Sequence, residues 1–217
     1  MVDASRLGGP RGRHRDPWRE ARRDLTARCP KLATLVRLAH PVAREIPDPR
    51  PITHLAVRTI IGQLVSTAAA RTITARLLDA HGSFEEIAAW ARTVPHDAPS
   101  VLGLSRAKRR AIGGWGEFVA DAGDPRERWG ALPAEALLEE IMALRGFGRW
   151  SAEMLAIFGF GHPEIWPEGD VAVMRIMRRL YPRRQPSSIR TRVRGHSTYV
   201  ALCCWSVIDR GREAELG

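Results

Sequence analysis

The sequence predicts an all-α protein, and three observations lead to that expectation. Apolar residues recur at helical spacing over much of the chain, most clearly in residues 52–80 and 132–144. No segment shows the sustained apolar–polar alternation, bounded by turn residues, that indicates a half-buried strand. The 217 residues are 44% hydrophobic and 27% charged, a composition typical of a globular protein that can bury a sizeable core.

The predicted helices follow one another with short connections. They cover residues 32–39, 52–80 with an interruption near residue 66, 83–91, 108–120, 132–144, 149–160, 170–181 and 198–208. Thr53 and Ser66 are suitable N-caps for the two parts of the second helix, and Pro133 suits a first helical turn. Residues 41–52 contain four prolines and are expected to form a loop.

Residues 1–24 are expected to form a basic N-terminal arm, and residues 25–217 a helical domain. No run approaches the roughly 18 apolar residues of a membrane span, and no apolar segment follows the basic N-terminus as it would in a signal peptide. Three cysteines are too few for a disulfide framework or for the four thiolates of an iron–sulfur cluster. We therefore expect a cytoplasmic protein with reduced thiols.

The net charge of +10 favours a polyanionic partner, because such a field attracts nucleic acid and speeds the encounter. All basic residues except Lys31 and Lys108 are arginines, a bias that a GC-rich genome also produces. The excess of basic over acidic residues is therefore more informative than the abundance of arginine. Solubility is the alternative explanation of this charge.

The segment Leu144-Arg-Gly-Phe-Gly-Arg-Trp-Ser-Ala152 carries the first functional motif. Gly146 and Gly148 allow a tight turn and a close approach of the backbone, and Phe147 is expected to pack inward. The first-turn amides of the next helix are then exposed at the positive end of the helix dipole, where a phosphate can bind. An ordinary connection between two helices would show the same glycines.

Asp170 lies twenty residues after Trp150, where the next helix should begin. An aspartate at such a position is most simply an N-cap. A carboxylate beside an apolar cleft can also stabilise a developing cation or orient a water molecule. The sequence leaves both roles open.

Together these segments resemble the helix-hairpin-helix superfamily of DNA glycosylases, with the hairpin at about residues 133–160. The superfamily pattern is a Leu-x-Gly-x-Gly hairpin followed by an aspartate about twenty residues later. Residues 60–70 are similar to its early helix, whose Gln-Leu turn enters the duplex, and residues 102–108 are similar to the segment before its next helix. The resemblance implies a two-lobed helical fold with a cleft between the lobes and no N-terminal β-domain.

Within the superfamily, the chain is most similar to the alkylation-repair branch, the 3-methyladenine DNA glycosylase II type. Lyase members have a lysine where this chain has Trp150, so the resemblance implies a hydrolase without lyase activity. It assigns catalysis to Asp170 and the base pocket to Trp150, Trp205 and Met154, where Met154 replaces a tyrosine of the best-known relatives. The implied DNA contacts are Gln63, Leu64, Gly146, Phe147, Gly148 and Arg149, with Leu64 as the wedge that fills the gap left by a flipped base.

The expected function is hydrolysis of the N-glycosidic bond of alkylated bases, such as 3-methyladenine and 7-methylguanine, in duplex DNA during base excision repair. The histidines and cysteines lack metal-ligand spacing, so no metal or other cofactor is expected, although the resemblance would allow a monovalent cation at the hairpin carbonyls. We expect a monomer that acts on double-stranded DNA with a damaged base. Two alternatives stay open: a glycosylase for uracil, other deaminated bases or oxidised bases, and a non-catalytic helix-hairpin-helix DNA-binding module.

Overall fold

A computed structural model describes residues 18–42, 46–184 and 186–216 of the chain. Helices are the only regular elements in these ranges, which confirms the all-α expectation. They are α1 (Arg19–Arg28), α2 (Pro30–Ala39), α3 (Ile52–Gly62), α4 (Thr67–His81), α5 (Phe84–Thr93), α6 (Arg106–Ala122), α7 (Arg126–Trp129), α8 (Ala134–Met142), α9 (Arg149–Phe158), α10 (Val171–Leu180), α11 (Pro186–Val193), α12 (Ser197–Asp209) and a 3₁₀ helix (Glu213–Leu216).

The helices pack in two groups, as the expected two-lobed fold requires. The middle of the chain forms one group, in which α3, α4, α5 and α6 pack against one another. The two ends of the chain form the other, in which α12 packs on α2, α10 and α11, and the 3₁₀ helix contacts α2 and α10. The hairpin helices connect them: α9 packs on both α8 and α3, and its C-terminal end is followed by the loop that leads to α10.

Local sequence explains the start of α4 but not that of α3. The interruption of the second predicted helix separates α3 from α4, and Ser66 is the N-cap of α4, with its Oγ accepting a 3.2 Å hydrogen bond from the amide of Ala69. The prediction that Thr53 caps α3 is wrong. The N-cap position is Pro51, and Thr53 is buried in the first turn, where its Oγ1 accepts a 3.1 Å hydrogen bond from Nε1 of Trp115.

The boundary of the predicted N-terminal arm needs correction. Residues 1–17 lie outside the described residues, but residues 19–24 belong to α1 and are packed on the domain. Ala21 and Leu25 lie one turn apart on α1 and are both buried. Asp24 accepts a 2.9 Å contact from Nε2 of His196, close to the start of α12. The basic character of residues 19–28 therefore masked an amphipathic helix.

Three further elements were not expected from the sequence: the short helix α7, helix α11 and the terminal 3₁₀ helix. Each has eight residues or fewer, too short a stretch for an apolar periodicity to be recognised. None of the helices in the described ranges combines the length and apolar character that a membrane crossing requires.

Candidate active site

Asp170 is the N-cap of α10 and also the centre of a buried hydrogen-bond cluster. Its Oδ1 accepts 2.9 Å from the amide of Val173, which is the capping interaction expected at this position. The same oxygen accepts a 3.1 Å hydrogen bond from Nε1 of Trp205, and Oδ2 accepts a 2.9 Å hydrogen bond from Nε1 of Trp150. The side chain is only 8% exposed. The carboxylate that caps α10 is therefore the same group that binds both indole N–H groups.

The two tryptophans reach Asp170 from different helices. Trp150 lies in the first turn of α9 and is partly buried, whereas Trp205 lies in α12 and packs against Phe158 with ring centroids 5.5 Å apart. The structure therefore brings together three residues that the sequence places 20 and 35 positions apart. Met154, the third predicted pocket residue, is buried one turn after Trp150 on α9.

The loop before Asp170 is held to α12 independently of the tryptophans. Oγ1 of Thr198 accepts a 3.0 Å hydrogen bond from the amide of Ile165 and donates a 2.7 Å hydrogen bond to the carbonyl of His162. This hydroxyl lies in the first turn of α12, the helix that carries Trp205. The loop and the indole of Trp205 therefore share one rigid support, which fixes the direction of the Asp170 carboxylate.

The hairpin between α8 and α9 has the geometry that its glycines predict. Gly146 has φ +87°, and a Cβ there would lie 2.2 Å from Cβ of Ala111, so both conformation and packing require glycine. Phe147 is buried and contacts Trp115 with ring centroids 5.7 Å apart, as expected for an inward anchor. The hairpin is thereby fixed to α6, which carries both Ala111 and Trp115.

Gly148 differs from Gly146 in what surrounds it. It is the N-cap of α9. Among the described residues, no side chain caps this helix, and a Cβ at Gly148 would meet no atom within 4 Å. The first turn of α9 therefore lacks a side-chain cap among the described residues, and the space beside Gly148 is open at the positive end of the helix dipole. This is a suitable place for an anion from outside the protein.

The two predicted DNA contacts in the loop between α3 and α4 are arranged differently. Leu64 is 104% exposed and has φ +55°, a conformation that leucine rarely adopts. Gln63 does not project from the protein surface in the same way: its Nε2 donates a 2.9 Å hydrogen bond to the carbonyl of Gly146. The loop is thus attached to the hairpin through the carbonyl of Gly146. A monovalent cation at the hairpin carbonyls stays a prediction.

Arg149 is part of an ion-pair network. Its guanidinium makes two hydrogen bonds with Glu135 of α8, at 2.9 and 3.2 Å, and one of 3.0 Å with Oε1 of Glu153. The proximity of Arg149 holds the pKa of Glu135 below its usual range. The predicted contact of Arg149 with DNA stays a prediction, and would compete with these pairs.

Sequence reasoning missed three residues near these features. Glu153 is 2% exposed, and its Oε2 has no hydrogen-bond partner among the residues that the structure describes. Burial raises the pKa of its carboxyl more than the ion pair with Arg149 lowers it. Lys108 donates to two carbonyls at the C-terminal end of α3, just before Leu64, and burial lowers the pKa of its ammonium group. Leu102 has φ +54° and is 38% exposed. Only the spacing of Arg149 and Glu153 at i and i+4 was a usable sequence signal.

One cavity in the described part of the chain lies away from the Asp170 cluster. A cavity of about 580 Å³ is lined by Cys29, Lys31, Tyr181 and neighbouring arginines, at the opposite end of α10 from Asp170. Within the described ranges, no group of three or more histidines, cysteines or carboxylates has a geometry suited to a metal ion.

Comparison with known proteins places this fold. No family model matches the chain. The chain is 26% identical over 180 residues to the probable bifunctional transcriptional activator/DNA repair enzyme AlkA of two Mycobacterium tuberculosis strains; the match covers 76% of the chain and 35% of the relative. The chain thus spans about a third of the length of these curated relatives.

Three solved structures are similar over 88% of the chain. The Schizosaccharomyces pombe 3-methyladenine DNA glycosylase in complex with abasic DNA has a TM-score of 0.75 and 20% identity, over 97% of that structure. The Bacillus halodurans DNA-3-methyladenine glycosidase has a TM-score of 0.67 and 23% identity, over 89% of that structure. The Archaeoglobus fulgidus 3-methyladenine DNA glycosylase has a TM-score of 0.68 and 21% identity, over 69% of that structure. The predicted resemblance is thereby confirmed at the level of the fold.

Proposed function

We propose that this chain, which has the fold of the alkylation-repair helix-hairpin-helix glycosylases, hydrolyses the N-glycosidic bond of alkylated bases in duplex DNA. The observation that carries the proposal is the buried Asp170 carboxylate, oriented by the indoles of Trp150 and Trp205. A helix cap needs only the bond to the Val173 amide, which Oδ1 makes. The bond from Trp150 to Oδ2 serves no capping purpose, and it places an aromatic ring directly beside the carboxylate.

This arrangement suits the departure of a cationic base. An N-alkylated purine carries a positive charge and is already a good leaving group, so its release needs no general acid. As the bond breaks, positive charge develops on the sugar, and an oriented carboxylate in a desolvated site stabilises that charge or orients the attacking water. Because Nε1 of Trp150 points at Asp170, a base stacked on this ring lies beside the carboxylate. Cation–π attraction to such a ring contributes about 0.5–2 kcal/mol.

The base must leave the helical stack to reach this site. Leu64 is fully exposed on a short loop and is the side chain best placed to occupy the gap in the duplex. The open first turn of α9 at Gly148 supplies amides for a backbone phosphate. Both features lie on the elements that α6 supports, so that a duplex bound at the hairpin meets the wedge as well.

The proposed reaction leaves an intact abasic strand. A lyase would need an amine nucleophile beside Asp170, and the place occupied by lysine in lyase members is taken by Trp150. Lys108 is committed to the carbonyls of Ile61 and Gln63. Hydrolysis by water is the chemistry that these groups support.

A panel of duplexes tests the proposal. Each carries one lesion: 3-methyladenine, 7-methylguanine, 1,N6-ethenoadenine, hypoxanthine, uracil or an oxidised purine. We expect release of the methylated purines, a strand that breaks only on alkaline treatment, and no adduct on addition of borohydride. Release confined to uracil, hypoxanthine or oxidised purines would replace the alkylated-base assignment, and tight binding without any release would favour a DNA-binding module. A borohydride-trapped adduct would overturn the assignment as a hydrolase.

A further inference from the structure

The side chain of Leu64 is fully exposed in the described part of the chain, so burial does not explain its position. It lies in the four-residue connection between α3 and α4, in the left-handed region of backbone conformation. A leucine there is sterically unfavourable, and full exposure gives it no compensating burial. Other residues must therefore hold the connection in this shape.

Lys108 provides the first of these restraints. Lys108 lies in the first turn of α6, and its Nζ donates hydrogen bonds of 2.8 Å to the carbonyl of Ile61 and 2.7 Å to the carbonyl of Gln63. Both carbonyls belong to the C-terminal end of α3, where the helix leaves carbonyls unpaired and the helix dipole is negative. The ammonium group thus ties together the two backbone groups that flank the start of the Leu64 loop.

Gln63 provides the second restraint. Its backbone carbonyl accepts from Lys108, and its side-chain Nε2 donates 2.9 Å to the carbonyl of Gly146 in the hairpin. Gly146 in turn packs against Ala111, one turn after Lys108 on α6. Helix α6, the Leu64 loop and the hairpin therefore each contact the other two.

We propose that Lys108 and Gln63 are positioning residues that fix the Leu64 wedge relative to the hairpin, so that both engage one duplex in a single register. This inference rests on the proposed function, since it assumes that Leu64 enters DNA. It assigns Gln63 a role on the protein side of the interface, in place of the direct insertion into the duplex that the sequence suggested. It also explains why one of the two lysines of the chain is partly buried against carbonyls.

A merely structural helix cap predicts a different outcome from a wedge support. Loss of a cap would lower stability and impair every substrate alike. Loss of a wedge support impairs only those substrates whose base must be forced out of the stack, and spares a base that is already unpaired. The comparison of a paired lesion with the same lesion inside an unpaired bubble separates the two.

The experiment uses Lys108→Met, which keeps the length of the side chain and removes the donor, and Arg106→Met as the matched control. Arg106 is exposed in the same turn of α6, so its substitution removes an equal charge without touching the loop. Single-turnover excision is measured at saturating enzyme on the duplex and bubble substrates. Extrusion is followed separately by the fluorescence of 2-aminopurine placed beside an abasic analogue in duplex DNA.

We expect Lys108→Met to lower the duplex rate by about 10-fold or more, since it removes two hydrogen bonds from a charged donor, and to change the bubble rate by less than about 2-fold. Lys108→Arg should restore part of the duplex rate. Leu64→Ala should lower the duplex rate and spare the bubble rate in the same way. Adding it to Lys108→Met should lower the duplex rate little further, because both substitutions remove the function of the same wedge. The fluorescence rise should be large for the wild type and Arg106→Met, and small for Lys108→Met.

Equal losses on duplex and bubble, or additive effects of Leu64→Ala and Lys108→Met, would overturn the inference while leaving the proposed function standing. A chain that excises no base but still raises the 2-aminopurine fluorescence through Lys108 would support the inference and refute the proposed function. Absence of any Lys108-dependent fluorescence change would refute the inference whatever the excision assay shows.

Discussion

Nε1 of Trp150 donates a 2.9 Å hydrogen bond to Oδ2 of Asp170, and this bond joins the hairpin helix α9 to the N-cap of α10. Nε1 of Trp205 donates to the other carboxylate oxygen at 3.1 Å. The two oxygens are therefore not equivalent: Oδ1 also caps α10, whereas Trp150 is the only partner of Oδ2 among the described residues. This asymmetry separates the structural duty of Asp170 from the duty that we assign to catalysis.

The asymmetry predicts unequal effects of the two tryptophans. Trp150→Phe removes the donor to Oδ2 and should slow single-turnover excision by about 10- to 100-fold, the usual cost of a hydrogen bond to a charged group. Trp205→Phe leaves the Val173 amide on Oδ1 and should slow excision less. Rates are compared at saturating enzyme after both variants have been shown by thermal melting to be folded. Equal effects, or a larger effect of Trp205→Phe, would contradict the asymmetry.

The two hairpin glycines are predicted to respond in opposite ways to alanine. Gly146→Ala forces a Cβ against Ala111 at φ +87° and should destabilise the protein by about 2–4 kcal/mol. Gly148→Ala meets open space, so it should cost less than about 1 kcal/mol of stability. Its Cβ would stand at the proposed phosphate position, and DNA affinity should fall by about 10-fold or more.

Urea unfolding and fluorescence anisotropy with a duplex measure these two effects separately. Gly148→Ala binding DNA as tightly as the wild type would remove the backbone of α9 from the DNA interface. A stable Gly146→Ala protein would show that the hairpin is not fixed to α6 as described.

Glu153 predicts a specific pH dependence of stability. Burial raises the pKa of its carboxyl in the folded state above the ordinary value of 4.5, so the folded protein keeps the proton to a higher pH than the unfolded chain does. The contribution of this group to the unfolding free energy is therefore largest below pH 4.5 and falls as the pH rises through the folded-state pKa. Glu153→Gln does not titrate, and its stability relative to the wild type should increase with pH over that window.

Urea titrations from mildly acidic to neutral pH measure this difference, with Glu117→Gln as the control for a carboxylate lost from an exposed position. A difference between Glu153→Gln and the wild type that is constant with pH, or that decreases, would contradict the assigned cause. The ion pair from Arg149 to Oε1 would then dominate over burial.

The role of Arg149 in DNA binding can be measured through the salt dependence of affinity. If Arg149 contacts a phosphate, Arg149→Met should reduce the magnitude of the slope of log K for DNA binding against log salt concentration by about 1, the value for one phosphate contact. The slope is the informative quantity, because loss of Arg149 also leaves the buried Glu153 unpaired and changes stability. Arg128→Met, which removes an exposed arginine paired with Glu140, is the control. An unchanged slope would confine Arg149 to its pairs with Glu135 and Glu153.

Sequence alone could predict those features that depend on periodicity and on residues close in the chain. The helices α2 to α6, α8 to α10 and α12 follow from apolar spacing and capping residues, and Phe147 and Ser66 behave as local rules predict. The convergence of Trp150, Trp205 and Asp170 was implied by a family resemblance, since no local pattern relates residues 35 positions apart.

What the sequence could not predict depends on contacts between distant elements. Gln63 looked like a group directed at DNA, but its amide is bonded to a carbonyl 83 residues away. Lys108 has the sequence signature of an ordinary basic residue, but its ammonium group donates to two carbonyls at the C-terminal end of α3, 45 and 47 residues away. The burial of Glu153 was equally hidden, because a glutamate four residues after an arginine is most often part of an exposed helix face.

The most direct test of the account compares the wild type with Asp170→Asn in single-turnover release of 7-methylguanine from methylated duplex DNA. Asparagine is also a good N-cap, so the variant should fold and bind DNA normally, which melting and anisotropy verify. We predict release by the wild type and a rate at least about 100-fold lower for Asp170→Asn, the scale of losing one electrostatic group in a site of this kind. Release by Asp170→Asn at the rate of the wild type would contradict the central claim that this carboxylate, oriented by Trp150, acts on the sugar.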